Sequence, residues 1–113
     1  MALTGKYAKL RDDLAEALLK GEIAEMVCGD DVGTCNFDSP TLLLPRWNTK
    51  LVEQAAMEAG THCWKWTGSW GGGRFVISPH THSQGYPRTR NAEAVSHYLK
   101  EAGYQAGMYY MMD

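Results

Sequence analysis

NTKLVEQAAMEAG, residues 48–60, and NAEAVSHYLKEAG, residues 91–103, stand 43 positions apart and match at five of their thirteen positions. The apolar stripe keeps phase as well, with Val52, Ala55, Ala56 and Ala59 falling on Val95, Tyr98, Leu99 and Ala102. Spacings of three and four put such residues on one face of a helix. Gly60 and Gly103 sit where each helix should end, because glycine adopts the left-handed backbone of a C-terminal cap without steric cost. Glu-Ala-Gly is also a common way to end any helix, so the repeat rests on what flanks it.

Strand-like runs flank both copies. TCNFDSPTLLLP (34–45) reads as an extended segment broken by Pro40, with Leu42, Leu43 and Leu44 as its buried strand. HCWKW (62–66) alternates, Trp64 and Trp66 facing one way and Lys65 the other, and TGSWGGG (67–73) leads as a hairpin loop into RFVIS (74–78). YQAGMYYMM (104–112) closes the chain as an apolar, aromatic strand. The order β-α-β-β-α-β predicts an α+β, ferredoxin-like sandwich: a four-stranded antiparallel sheet with two helices on one face. Upstream, Thr4 suits an N-cap, and Tyr7, Leu10, Leu14 and Leu18 mark an amphipathic helix. Gly21 is expected to stop or kink that helix, with Ile23, Met26 and Val27 allowing a further turn before the GDDVG loop at 29–33. The chain is thus expected to be one domain, 1–113. Residues 1–28 form a helical extension over a sheet edge, over the open face or against another subunit. Residues 34–113 hold the two β-α-β units.

Composition narrows the function. With 44% hydrophobic and 21% charged residues the chain is ordinary globular material, and a net charge of −2 speaks against a strongly basic, generic polyanion binder. The charge is uneven: residues 1–33 hold four Lys/Arg against seven Asp/Glu, whereas residues 34–113 hold seven against six. Cys28, Cys35 and Cys63 are an odd set for disulfides and suggest free thiols in a reducing cytoplasm. No run approaches the length and apolarity of a membrane span, and the first residues lack the apolar core of a signal peptide.

The stretch that asks for a function is SPHTHSQGYPRTRN, residues 78–91, the connection from the third strand to the last helix. The topology gathers it at one end of the sheet with Cys35, Asn36, Asp38, His62 and Asp113. With Asn91 as N-cap, Arg88 and Arg90 stand beside the unpaired N–H groups of a helix start. Gln84-Gly85 permits close backbone approach there, and Tyr86, or Trp47 elsewhere, offers a ring to a base. The leading expectation is a small non-enzymatic protein that binds a phosphate-bearing ligand, a nucleotide or a nucleic-acid segment. Its ligand set is His80, His82, Gln84, Gly85, Arg88, Arg90, Asn91, Asn36 and Asp38. Against it stands a structural use of the arginines, solvated or paired with Glu93 and Asp113. A protein-interaction module, for instance an inhibitor or regulator docking through Trp70, Tyr109 and the aromatic sheet face, is the alternative, and a homodimer through that face is open. A cysteine and histidine enzyme or a zinc site from His80, His82, His62, Cys63, Cys35 and Asp38 has the right residue types but no recognised spacing. No cofactor is expected.

Overall fold

The computed structural model of the chain describes residues 2–28, 38–66, 72–81 and 85–110. Its elements are α1 (Gly5–Cys28), β1 (Ser39–Leu43), α2 (Thr49–Ala59), β2 (Cys63–Lys65), β3 (Arg74–Ile77), α3 (Tyr86–Glu101) and β4 (Gln105–Tyr109). Among the described residues these make a mixed α+β fold of three helices and one four-stranded antiparallel sheet, in the order β2-β3-β1-β4. β3 therefore lies between β1 and β2, and β1 between β3 and β4. Thr41 stands opposite Val76 on one side and Gly107 on the other, which fixes the register of the central strands.

Pro40 does not break the first strand. It lies inside β1, opposite Met108 of β4, while the ladder to β3 spans only Thr41 to Leu43. The missing N–H of proline thus falls where β1 is paired on one side alone, the position a sheet tolerates.

Alternation sorts the strands into two faces. Leu42, Leu44, Phe75 and Ile77 join Val52, Ala55, Ala56, Val95 and Leu99 in one buried cluster under the helices. The helical stripes read from the sequence are the ones that reach this core. α2 and α3 also end alike: Thr61 N–H reaches the Ala56 carbonyl and Gly60 N–H that of Met57, while Tyr104 reaches Leu99 and Gly103 reaches Lys100. Gly60 and Gly103 adopt φ of 101° and 104°, the left-handed values this pattern needs.

The two helices begin differently. Asn48 caps α2, its side chain accepting from the Leu51 N–H at 3.1 Å. α3 starts at Tyr86 behind Gly85, with Pro87 in its first turn. Asn91, expected as the N-cap, is inside the helix and fully buried. Proline is favoured in a first helical turn, where its missing N–H has no partner to lose. PRTRN therefore belongs to the helix and not to the loop.

α1 also departs from expectation. It continues unbroken through Gly21 to Cys28, and it covers neither a sheet edge nor the open face. It packs on α3 and on α2, which touch each other little, and sends Leu10, Leu14 and Ala17 into the central core. Gly21 marks the closest approach to α3: a Cβ there would lie 2.3 Å from Asn91 Oδ1 and 2.8 Å from Val95 Cγ2. A glycine that looks like a helix stop is the contact point between two helices.

The other sheet face is closed at its centre, with Thr41 and Val76 at most 1% exposed. Above it the rings of Trp66 and Tyr109, from opposite edges of the sheet, meet edge to face at 5.1 Å. No helix among the described residues is long and apolar enough to cross a membrane.

Candidate functional site

The described members of the expected site do converge at the end of the sheet where β1 begins. They meet as two structural clamps. In the first, His80 stands between α1 and the end of α2: its Nδ1 faces Glu22 Oε1 at 3.2 Å, and its Nε2 faces the Gly60 carbonyl. Which ring nitrogen donates depends on the tautomer. Next to it, Asn91 Nδ2 donates to Glu25 Oε1 at 2.9 Å and to the His80 carbonyl at 2.5 Å.

The second clamp ties α3 to the start of β1. Arg88 Nε donates to the Asp38 carbonyl at 3.2 Å, and its Nη2 lies 3.5 Å from Ser39 Oγ. Thr89 Oγ1 donates to Asp38 Oδ2 at 2.7 Å. Burial pulls the Arg88 guanidinium below its ordinary pKa, and the charges of Asp38 and Glu25 pull it back up. Arg90 is exposed and lies 3.6 Å from Glu93, the pairing a structural use of that residue requires. Asn36, His82, Gln84, Trp70, Cys35 and Asp113 lie outside the described residues. Gly85 is buried at the cap of α3 and makes no side-chain cap.

The cysteine chemistry loses its nucleophile at Cys63. Burial, and secondarily the charge of Glu53, push that thiol up to about 12, and its Sγ points at the Val52 carbonyl at 3.9 Å. A thiol so placed is protonated across the neutral range. His62 is exposed on the approach to β2, and among the described residues no three His, Cys, Asp or Glu side chains converge in a way that would hold a metal. Tyr109 is half-buried and engaged with Trp66 instead of standing free on the sheet face.

Sequence reasoning missed the second half of α1. Its core-facing stripe ends at Gly21, and a different stripe lies in solvent: Leu19, Ile23, Met26 and Val27 are 54%, 55%, 80% and 81% exposed. Their spacing of four, three and one residues places them on one side of the helix. Met26 also borders a cleft of 520 Å³ whose other walls are Glu22, Glu25, Pro79, His80 and Thr81. Among the described residues two carboxylates line this cleft, Glu22 facing His80 and Glu25 accepting from Asn91, so its chemistry favours a cation, opposite in sign to the ligand expected at this end. The signal was present in the sequence as apolar residues out of phase with Leu10, Leu14 and Leu18, beside glutamates three apart.

The chain matches no protein-family model, no curated protein and no solved structure. What its function is must therefore come from these surfaces.

Proposed function

We propose that this is a small non-enzymatic binding protein whose partner is another protein. The docking surface is the second half of α1 together with the adjoining acidic cleft. The observation that carries the reading is the run of four large apolar side chains more than half exposed on one helix face. Contiguous apolar surface of this kind on a small domain marks an interaction site. Glu22 and Glu25 beside it set the charge of the partner: an amphipathic segment with apolar anchors and a Lys or Arg that enters the cleft. This moves the interaction reading away from Trp70 and the aromatic sheet face, whose centre is buried. With it go two finer readings. The fold is the ferredoxin-like split β-α-β type, which the enclosure of one strand of each unit by the other supports, and the setting is cytoplasmic, which the free thiols support.

The test is a titration with two synthetic amphipathic helical peptides of equal length, one Leu/Lys and one Leu/Glu. The basic peptide should bind and the acidic one should not. Ile23→Glu with Met26→Glu should weaken binding by at least about tenfold, the factor that 1.4 kcal/mol of lost contact sets. Equal affinity for both peptides, or an unchanged affinity in the variant, would remove the reading. Binding of a phosphate-bearing ligand through the 79–91 segment is the second reading. One feature favours it: α3 begins there without a side-chain cap or an acidic first turn.

A further inference from the structure

The opposite end of the sheet carries cations that have no carboxylate partner among the described residues. β1 leaves the sheet there through Leu44-Pro45-Arg46-Trp47, closed by a bond from Trp47 N–H to the Leu44 carbonyl at 3.2 Å. With Pro45 in its second place and φ of 68° at Arg46 in its third, this is the pattern of a type II turn. The third place favours glycine, and Arg46 is the one non-glycine residue with positive φ among the described residues. Holding an L side chain there costs about 1 kcal/mol or more. The turn cannot relax away, because Gly73 packs against Pro45 and accepts the Leu44 N–H at 2.6 Å. Arg46 is therefore held outward, exposed, at an energetic cost.

Two further cations stand beside it. Lys50 is exposed in the first turn of α2. Lys6, in the first turn of α1, holds its ammonium 4.5 Å from the centre of the Trp47 ring and 5.4 Å from that of Tyr7. The two rings meet edge to face at 5.2 Å, and Asn48 N–H donates to Tyr7 Oη at 2.9 Å, which binds the starts of α1 and α2 together. Neither helix has an acid in its first turn, so two positive helix ends point the same way. The nearest α1 carboxylates are committed elsewhere, Asp13 to Lys9 and Asp12 to Arg11. Among the described residues no carboxylate lies within ion-pair distance of Lys6, Arg46 or Lys50, whereas His80 and Arg90 each have one.

We infer that this end, formed by Lys6, Arg46, Trp47 and Lys50, binds the phosphates of a nucleic-acid strand. Three cations on two chain segments, Lys6 on one and Arg46 with Lys50 on the other, suit a row of phosphates better than a single one. The half-buried Trp47 ring carries the Lys6 ammonium and the Tyr7 ring, and so fixes the position of one of these cations. The net charge of −2 makes this a local patch and not a generic polyanion surface, and the acidic cleft of Glu22 and Glu25 lies at the other end of the sheet.

The experiment measures anisotropy of a labelled single-stranded 12-mer over a range of salt, with inorganic phosphate as a competitor. The affinity should fall with salt at a log–log slope of about −2, from roughly 0.7 for each of three contacted phosphates. Lys6→Ala, Arg46→Gly and Lys50→Ala combined should reduce affinity at least about tenfold at low salt. Arg46→Gly also relieves the backbone, so a melting temperature no lower than that of the parent keeps the loss assignable to charge. Arg90→Ala should leave binding unchanged. No binding at low salt, loss with Arg90→Ala but not with the triple variant, or complete competition by millimolar inorganic phosphate would each overturn the inference.

Discussion

Replacing Gly21 with alanine sets two known effects against each other, and the structure decides which prevails. In an exposed helix interior the change stabilises by about 1 kcal/mol, because alanine is the better helix former. Here the new methyl would sit 2.3 Å from Asn91 Oδ1, 2.8 Å from Val95 Cγ2 and 3.0 Å from the Asn91 backbone oxygen. The asparagine amide cannot swing aside freely, since its Nδ2 is held by Glu25 and by the His80 carbonyl. The backbone oxygen cannot move without α3. Overpacking of this sort costs about 1–3 kcal/mol and more where backbone must shift, so Gly21→Ala should destabilise by roughly 1–2 kcal/mol net. For a domain of this size that is a fall of about 5–10 °C in melting temperature, readable by circular dichroism or calorimetry. Asn91→Ala supplies the control. It removes the shortest of the three clashes, so Gly21→Ala should cost less in that background, with a coupling of about 1 kcal/mol in a double-mutant cycle. If Gly21→Ala instead raises the melting temperature, the helices do not approach this closely and α1 is not seated on α3 as described.

Cys63 should resist alkylation in the native protein at pH 8, since a thiol at about 12 is roughly 0.01% ionised there, and Cys28, at the end of α1, should react ahead of it. Labelling of Cys63 at the rate of a free thiol, followed by mass spectrometry, would refute its burial. Stability should fall as the solution is made alkaline. Burial raises Cys63, and burial with the Asp13 bond raises Tyr104, so both are protonated in the fold and ionise more readily once unfolded. The unfolded chain then holds fewer protons, and their stabilisation, complete below pH 9, is lost on the way to pH 12. Thermal melts from pH 8 to 11 should show the decline, and Cys63→Val with Tyr104→Phe should flatten it. Asp13 accepts from Lys9 Nζ at 2.6 Å and from Tyr104 Oη at 2.7 Å, joining α1 to the start of β4. Asp13→Ala should cost about 1–3 kcal/mol in urea denaturation, and a loss below about 0.5 would show the cluster to be solvated decoration.

Much of this was legible in the chain because it is local. Val52, Ala55 and Ala56, like Val95 and Leu99, repeat at helical spacing and are buried. The glycines that end α2 and α3 carry their own conformational signal, and alternation in HCWKW and the apolar run in RFVIS marked the strands. The misreadings share a cause: a local cue had two physical meanings, and a distant residue chose between them. Asn91 caps a helix or lies buried within one. Gly21 stops a helix or lets another approach, and only Asn91 and Val95, some 70 residues on, decide it. The partners of the charged groups are more distant still in logic, since nothing near His80 or Asn91 in sequence announces Glu22 and Glu25.

The polar loop illustrates a general difficulty in reading donors as ligand groups. Residues 78–81 and 85, the described part of this connection, lie outside helix and strand, and irregular backbone at a packed end leaves carbonyl oxygens that need partners. His80 serves the Gly60 carbonyl, Asn91 that of His80, and Arg88 that of Asp38. Each is a long-range bond from a side chain to a backbone oxygen at the edge of an element. A cluster of His, Asn and Arg at such a junction closes it, and the same residue types make up the ligand set read from the sequence. Arg46 presents the opposite case. Its turn is short, its closing hydrogen bond is made without the guanidinium, and its backbone is held where glycine would be easier. A charge the fold leaves unused and holds at a cost is stronger evidence for a ligand than several charges that the fold consumes.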